Sequence, residues 1–260
     1  MQVNEVTINL LKSFEGCPPR PEWPGGASGV TLGYGCDIGA DPASLSAWTA
    51  YLSSNDLARL EQTKGKTGAA AQAALASAAD IVIPADAAEA VFKNYTLPRE
   101  INTTLEGFPG SDLLPADSFG ALVSLVYNRG TELTGPRRVE MQAIHNNLAA
   151  GRAAWIDIVN QIAAMTRLWP GTPTASNLPG RRLAEAALFA IGLRGEGLMS
   201  DALIKGDSGA AVEKLQTALH INADGAFGFQ TLLALWHYQG GSGLPATGIA
   251  DTATRAALVV

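Results

Sequence analysis

The stretch that decides the fold reads GVTLGYGCD over residues 29–37. Side chains alternate along a strand, so Thr31 and Asp37 share one face of it. In a straight strand these two residues would lie about 20 Å apart, at ~3.3 Å per residue. Gly33 and Gly35 permit a tight turn that would bring them close. The stretch therefore predicts a β-hairpin, with two glycines leaving a bare face against which a ligand could lie.

A carboxylate ends the segment that precedes this hairpin. Residues 3–15 carry apolar side chains at helical spacing, and Gly16 can cap that helix. Glu15 then lies at the edge of the apolar stripe and at the negative end of the helix dipole, and both positions favour its protonated form. Two acids in different surroundings, Glu15 and Asp37, are what glycoside cleavage needs. The plainer alternatives are a surface glutamate before a capping glycine, and an aspartate that caps the turn.

The rest of the chain is predicted to be helical. We expect helices over residues 43–62, 69–79, 85–97, 137–150, 152–166 and 180–194, and one opened by Asp117 as its cap. Pro98 is expected to end or bend the third of these. Residues 1–196 then form an α+β domain that is mostly helical with one small hairpin. After a glycine-rich boundary near 195–197, residues 200–260 are predicted to form a small domain of three short helices.

Composition narrows the classes of partner. The chain has 260 residues, a net charge of −6 and only 16% charged residues. A nucleic-acid binder is usually basic, so we expect no nucleic-acid partner. A polysaccharide is compatible with this charge, since sugars are bound through hydrogen bonds and aromatic faces.

No targeting or membrane signal is visible in the sequence. The N-terminal residues lack a basic region followed by an apolar one, which argues against a signal peptide. The most apolar late stretch, residues 183–193, is too short to span a bilayer. We therefore expect a monomer that is made in the cytoplasm of the host cell, does not insert into membranes, and reaches the cell wall only after release.

Metal and thiol chemistry receive little support. The three histidines, His145, His220 and His237, show no metal-ligand spacing, so no metal or other cofactor is expected. Cys17 and Cys36 are either bridged to one another or free thiols. A cysteine peptidase built on one of them is a minor alternative.

Two segments, one that contains Glu15 and one that contains Thr31, together resemble a known family. FEG at residues 14–16, followed by GVTLGYG at 29–35, resembles the phage-type lysozymes, whose active site combines a Glu, an Asp and a Thr. In that pattern an acid or a cysteine lies six residues before the threonine, and here that position is Gly25. Glu22 is the nearest upstream carboxylate, and it is out of register.

A variant of that pattern fits the order found here. Asp37 follows Thr31 by six residues, which resembles the lysozyme-like domain of the pesticin toxin group and related endolysins. The resemblance implies that Glu15 is the general acid. It implies that Thr31 and Asp37 direct the water or stabilise the transition state, with Gly33 and Tyr34 of the turn contacting substrate.

Two later segments extend the resemblance. SLVYNRG at residues 124–130 is similar to a Phe-Asn-x-Gly segment of phage lysozymes, which implies that Asn128 and Arg129 line a sugar cleft. A helix end with polar residues is the alternative. GRRLAEA at 180–186 is similar to the family's Arg-Arg-x-x-Glu helix, which implies substrate-site pairing of Arg181 or its neighbour, for example with Glu15. A solvated basic turn is the alternative.

The tail resembles a second family. GDSG at residues 206–209, DGAFG at 224–228 and TGI at 247–249 occur in the order found in the peptidoglycan-binding domain type 1 family. That resemblance implies bacterial peptidoglycan as the partner. Trp236 offers a flat face that could stack on a sugar, although burial in the core of so small a domain is the alternative.

These observations favour a muramidase of the endolysin kind, which would hydrolyse the β-1,4 bond between N-acetylmuramic acid and N-acetylglucosamine. Two alternatives remain open at this point. One is a wall-binding protein without catalysis, which the glycine at position 25 favours. The other is a lytic transglycosylase, which would need Glu15 but no residue that directs water.

Overall fold

A computed structural model describes residues 2–260 of the chain. It is mostly helical with one two-stranded antiparallel sheet, which confirms the predicted α+β class. The strands are β1 Thr31–Leu32 and β2 Cys36–Asp37. The helices in chain order are α1 Glu5–Glu15, α2 Ser54–Glu61, α3 Gly68–Leu75, α4 Ala85–Val91, α5 Leu97–Gly107, α6 Ala116–Arg129, α7 Val139–Ala150, α8 Trp155–Ala164, α9 Leu178–Gly195, α10 Ala210–Ala218, α11 Phe229–Gly241 and α12 Thr252–Leu258.

The chain forms two compact units. One is Leu11–Asn102, and the other is Thr103–Val260 together with the chain up to Leu10. The division runs through helices α1 and α5, so each of these helices contributes to both units. The predicted domain boundary between residues 196 and 200 is a different division, and it stays a prediction.

The hairpin lies at the centre of the unit Leu11–Asn102. The side chains of both strands join a core built from the following 3-10 segment and from helices α2 to α4. Trp48 is fully buried there, and its indole N–H donates to the Cys36 sulfur at 3.4 Å. The apolar members with no exposed surface include Val30, Leu32, Ile38 and Leu60. A buried core on one side of the hairpin therefore sets which way its strands face.

The second unit is built on helices α6 and α9, with α7 and α8 beside them. Two glycines let its helices approach closely. A Cβ at Gly120 would overlap Thr7, and a Cβ at Gly192 would overlap Ser118. Every residue of α6 from Ser118 to Val126 is buried, rather than only the face that its spacing predicts.

Two predicted helices need correction. The single helix expected over 43–62 is a 3-10 segment, Pro42–Trp48, followed by α2. Ser53 separates them, because its side chain accepts the Asp56 N–H and caps α2. Pro98 does not end the third helix, and the bend given as the alternative stays a prediction. A π turn over Phe92–Thr96 leads directly into α5, and a wider turn is one way for a helix to absorb a proline that lacks an N–H.

Asp117 is not the cap of α6. The cap position is Pro115, and Asp117 lies in the first helical turn. There its carboxylate accepts the Asn4 side-chain N–H at 2.6 Å. An acid in the first turn still favours the helix through the dipole, so the predicted start of the helix holds although the capping role is wrong.

No helix in residues 2–260 has both the length and the apolar character that crossing a bilayer requires.

Candidate functional site

A tight hairpin brings Thr31 and Asp37 together. Thr31 on β1 lies directly opposite Asp37 on β2. In the turn between them, Gly33 has φ +53° and Gly35 has φ +75°, conformations that glycine adopts without strain. The turn predicted between Thr31 and Asp37 is confirmed.

A third short segment pairs with the other edge of β1. The Glu22 N–H donates to the Thr31 carbonyl at 3.0 Å, and the Thr31 N–H donates to the Glu22 carbonyl at 2.8 Å. The N–H and carbonyl groups of Thr31 both bond to Glu22. Thr31 and Asp37 therefore form a non-hydrogen-bonded pair, in which the two Cα atoms lie about 4.5 Å apart. Directly opposite residues of antiparallel strands point to the same face. Glu22, Thr31 and Asp37 therefore form one row across this small sheet.

The backbone holds the Asp37 carboxylate. Its Oδ2 accepts the Gly29 N–H, and its Oδ1 accepts the N–H groups of Gly39 and Ala40, each at 2.9 Å. A Cβ at Gly29 would overlap the carboxylate, so glycine is required beside it. The turn-cap alternative is thus confirmed as one role of Asp37: it shapes the hairpin and keeps a carboxylate immobile beside Thr31.

Residues around the turn are more buried than predicted. Thr31 is 7% exposed, and its hydroxyl lies 3.4 Å from the Gly29 carbonyl oxygen. A Cβ at Gly33 would meet the Cβ of Ala88 at 2.9 Å and the Trp48 ring at 3.2 Å. The bare strand face expected at Gly33 is therefore wrong, because core side chains pack against it. A substrate contact of Gly33 stays a prediction.

Tyr34, at the tip of the turn, joins a mixed aromatic and charged cluster. Its ring centroid lies 5.3 Å from that of Phe92, and the Lys12 ammonium lies 5.2 Å from the Tyr34 centroid. Lys12 also forms an ion pair with Glu89, whose hydrogen bond raises the pKa of Lys12. Tyr34 is half-buried, and its contact with substrate stays a prediction.

Both cysteines are free thiols, so the bridge between Cys17 and Cys36 considered above does not form. Burial raises the pKa of each thiol. Hydrogen bonds act in the opposite direction, from Tyr34 on Cys17 and from Trp48 on Cys36. Because the thiolate is the reactive form, these surroundings do not favour a cysteine nucleophile.

Glu15 is the last residue of helix α1, as predicted. The Gly16 N–H donates to the Lys12 carbonyl at 3.3 Å, and Gly16 has φ +66°, which is a glycine end to the helix. The Glu15 side chain is half-buried. It belongs to the same compact unit as Thr31 and Asp37.

A second carboxyl group, Glu100 on α5, is an electrostatic neighbour of Glu15. Burial raises the pKa of Glu100; Arg99 opposes this shift, and the negative charges of Glu15 and Asp41 add to it. Asp41 itself accepts hydrogen bonds from the Tyr95 hydroxyl at 3.0 Å and from Arg99 at 2.6 Å. Glu15 therefore has a neighbouring carboxyl group, that of Glu100, whose own neutral form is favoured.

In the other unit, the end of α6 carries polar and aromatic groups. The Asn128 side-chain oxygen accepts a hydrogen bond from Arg182 at 3.3 Å, and Asn128 is exposed. The guanidinium groups of Arg129 and Arg182 lie 5.7 Å and 5.9 Å from the Trp169 ring centroid. Contacts of Asn128 and Arg129 with a sugar stay predictions.

The two arginines of α9 are buried, so the solvated basic turn is wrong. Arg181 is 2% exposed and Arg182 is fully buried. The Oε1 atom of Glu185, one turn further on, accepts hydrogen bonds from both arginines at 3.0 Å and from the Ser124 hydroxyl at 2.7 Å. A buried charge needs a paired and hydrogen-bonded partner, and Glu185 supplies one on the same helix. A direct part for Arg181 in substrate binding stays a prediction.

The tail is organised around two buried glutamines, and Gln216 of α10 is the first. Its amide N–H₂ donates to Asp224, to the Ala226 carbonyl and to the Thr231 hydroxyl at 2.8–3.0 Å. Its amide oxygen accepts the Gly225 N–H at 2.8 Å. This one side chain links α10 to the following turn and to α11.

Gln239 of α11 repeats the arrangement. Its amide N–H₂ donates to the Ile249 carbonyl at 2.8 Å and to the Thr254 hydroxyl at 3.0 Å, with Thr247 at 3.4 Å. Its amide oxygen accepts the backbone N–H groups of Thr247 and Gly248.

The partners follow each glutamine at the same separations of 8, 9, 10 and 15 residues. The tail is therefore an internal repeat of a helix, a turn and the start of the next helix.

Trp236 lies on α11 between the two glutamine positions. It is half-buried, and its ring meets that of His237 edge-on at a centroid distance of 4.9 Å. The indole N–H is buried and has no hydrogen-bond partner in residues 2–260. Burial of part of the ring agrees with the core alternative, and stacking on a sugar stays a prediction.

Comparison with known proteins bears on this tail. Residues 207–258 match the family model of the putative peptidoglycan binding domain. Among curated proteins, no match to the chain is found. The chain therefore carries a peptidoglycan-binding domain, which associates it with the bacterial cell wall and with peptidoglycan as a partner.

Several residues that organise the site were not predicted from the sequence. The Glu22–Thr31 pairing spans an irregular glycine-rich loop, for which sequence spacing gives no register. Glu100 had a weak signal, since it is an acid between the apolar residues Leu97 and Ile101. Gln216 and Gln239 had a clear sequence signal, because the turns and threonines that follow them recur at equal intervals.

Proposed function

We propose that the chain is a muramidase of the endolysin kind that binds peptidoglycan through its tail. It would cleave the β-1,4 bond between N-acetylmuramic acid and N-acetylglucosamine. It would be made in the cytoplasm of the host cell and act on the wall after release.

One observation carries the proposal. The hairpin pairs Thr31 with Asp37 across its two strands, in the same compact unit as the helix-end acid Glu15, and the chain also has a peptidoglycan-binding domain. Hydroxyl and carboxylate groups next to one another, together with a separate acid, are the functional groups that glycoside hydrolysis uses.

The roles follow from the surroundings of each group. Glu15 is the proton donor to the glycosidic oxygen, which lets that oxygen leave. Thr31 presents its hydroxyl beside the immobile Asp37 carboxylate. Three backbone N–H groups hold that carboxylate in one position, and its negative charge on the face shared with Thr31 would stabilise the positive charge that develops on the sugar ring.

The test is a product analysis. Purified protein is incubated with peptidoglycan, and the soluble fragments are analysed by mass spectrometry. We expect fragments with new reducing ends. Anhydro sugars would instead indicate a lytic transglycosylase. Binding without any fragments would indicate a wall-binding protein without catalysis, a reading that the involvement of Asp37 in backbone contacts favours.

A substitution tests the acid. Glu15→Gln keeps the size of the side chain and removes the proton donor, so we expect turnover to fall by at least about 100-fold. Thermal unfolding and wall binding should stay as in the unchanged protein. Glu61→Gln is the matched control, because Glu61 is an exposed glutamate on α2 paired only with nearby Lys64. Lysis by Glu15→Gln at the control rate would remove Glu15 from the mechanism.

A further inference from the structure

The row across the small sheet contains a carboxylate for which the proposed function has no role. Glu22, Thr31 and Asp37 lie directly opposite one another on three adjacent segments. The Glu22–Thr31 pair exchanges both backbone hydrogen bonds, which sets its Cα atoms about 5.5 Å apart. Side chains of such a pair lie side by side on one face. The Glu22 side chain therefore leaves the sheet on the same face as the Thr31 side chain.

The two carboxylates of the row differ in what they contact. Asp37 has both oxygens engaged by three backbone N–H groups. Glu22 is exposed, and within residues 2–260 its carboxylate makes no hydrogen bond or ion pair. A group that takes a proton from water needs free lone pairs and access to that water. Glu22 has both, whereas Asp37 is held in place by the loop.

The backbone at Glu22 is held in place although it lies in a loop. The Trp23 indole N–H donates to the Ser28 carbonyl at 3.0 Å, which closes the loop between Glu22 and β1. The same carbonyl accepts the Gly68 N–H at 2.9 Å, and Gly29 forms a bridge with Thr67. The backbone position from which the Glu22 side chain extends is thus fixed relative to Thr31. A residue that positions water needs such a fixed attachment.

We infer that Glu22 is the base that activates the attacking water and that Thr31 holds that water, while Asp37 keeps the charge-stabilising role proposed above and takes no proton. The inference rests on the proposed function. Glu15 gives its proton to the glycosidic oxygen as the bond from that oxygen to the anomeric carbon breaks. The water oxygen bonds to that carbon, and the water proton passes to Glu22. Exchange with solvent then returns a proton to Glu15 and removes one from Glu22, and the net reaction is hydrolysis.

The first experiment compares Glu22→Gln with Glu61→Gln in the full chain on purified peptidoglycan. We expect Glu22→Gln to lower kcat by about 100-fold or more, since this is the usual contribution of a general base. Thermal unfolding and wall binding should be unchanged, because the side chain is exposed and only its backbone pairs with Thr31. More than half of the control activity in Glu22→Gln would overturn the inference.

A second variant tests whether Glu22 acts as a base or only supports the structure. In Glu22→Ala, added azide can attack the anomeric carbon without a base, so we expect azide to restore cleavage and to yield a glycosyl azide. Direct attack by water also predicts inversion, so the first reducing ends formed by the unchanged protein should be α. No rescue by azide, or retained β configuration, would overturn the base role.

Different results would refute the proposed function and the role of Glu22. An unchanged protein that yields no reducing ends, or a fully active Glu15→Gln variant, refutes the proposed function. An inactive Glu15→Gln variant together with a fully active Glu22→Gln variant leaves the muramidase standing and refutes only the role of Glu22.

Discussion

The hairpin and the peptidoglycan-binding tail are both held together by polar groups, but over different distances along the chain. In the tail, each glutamine finds its partners within 15 residues, at equal separations in both repeats. In the hairpin unit, the row of Glu22, Thr31 and Asp37 depends on how three segments align. Local spacing makes the tail recognisable as a family member, whereas the chemistry of the hairpin depends on a register that spacing does not reveal.

The strongest test of this comparison is Asp37→Asn. The asparagine oxygen can still accept N–H groups from Gly39 and Ala40, but its N–H₂ would face the Gly29 N–H. Leaving that buried donor unsatisfied costs about 1–3 kcal/mol, and the row across the sheet should shift. We expect kcat to fall by about 100-fold or more, as judged by release of reducing ends.

Asp112→Asn is the control for that change, because Asp112 is exposed in the other unit. Unfolding curves separate the effect on stability from the effect on turnover. Full activity of Asp37→Asn on peptidoglycan would show that the hairpin tolerates loss of this carboxylate and that Asp37 has no part in turnover.

The tail is tested by a pair of equivalent changes, Gln216→Leu and Gln239→Leu. Each removes a buried amide whose partners would then lack hydrogen bonds, at an expected cost of several kcal/mol of tail stability. Because the two repeats are alike, we expect similar losses from both changes. Because so small a domain is only marginally stable, this loss would leave much of the tail unfolded. We therefore expect wall binding to weaken by about tenfold or more, measured by co-sedimentation with peptidoglycan.

The exposed residue Gln230 on α11 provides the matched control, as Gln230→Leu removes no buried partner. Turnover of small soluble muropeptides should change little in any of the three variants. If only one of the two buried glutamines mattered for binding, the tail would not behave as a repeat.

The smallest effect is expected at Glu100, beside Glu15. Burial raises the pKa of Glu100 above its usual value of 4.5 in the folded chain. A raised pKa contributes stability that is present below the unfolded value and is lost as the pH rises through the folded value. We therefore expect Glu100→Gln to be more stable than the unchanged protein at neutral pH, with the difference shrinking on acidification toward 4.5.

Thermal unfolding of both proteins between acid and neutral pH measures this difference. A difference that stays constant over this range would show that Glu100 does not titrate differently in the folded and unfolded chain. The pH profile of turnover in Glu100→Gln would further show whether Glu100 influences Glu15 through charge.

Several features could be predicted because they arise within a few residues. Gly16 ends α1 directly after Glu15, and the glycines at 33 and 35 form the turn that brings Thr31 to Asp37. The burial of Arg181 and Arg182 had a local signal as well, since Glu185 lies one turn away on the same helix. That spacing favours a buried ion pair over the solvated turn that was predicted.

Other features arise from contacts between distant parts of the chain. The core side chains Trp48 and Ala88 close the strand face that looked bare at Gly33. The pairing of Glu22 with Thr31 crosses an irregular loop, and helical and strand periodicity says nothing about the register across such a loop. The same holds for Pro98, which a π turn accommodates within a continuous helix.

Short-range periodicity was thus enough to establish the helical class, the hairpin turn and the helix end at Glu15. The equal spacing of the glutamine-centred repeat is present in the sequence, but it became apparent only from the hydrogen bonds of the structure. The neighbours of each carboxylate came from tertiary packing instead. Asp37 is bound to the backbone of residues 29, 39 and 40, and Glu22 is exposed beside Thr31. The reason is physical: propensities and caps act within a turn or two of chain, whereas desolvation and strand register depend on groups that only the folded core brings together.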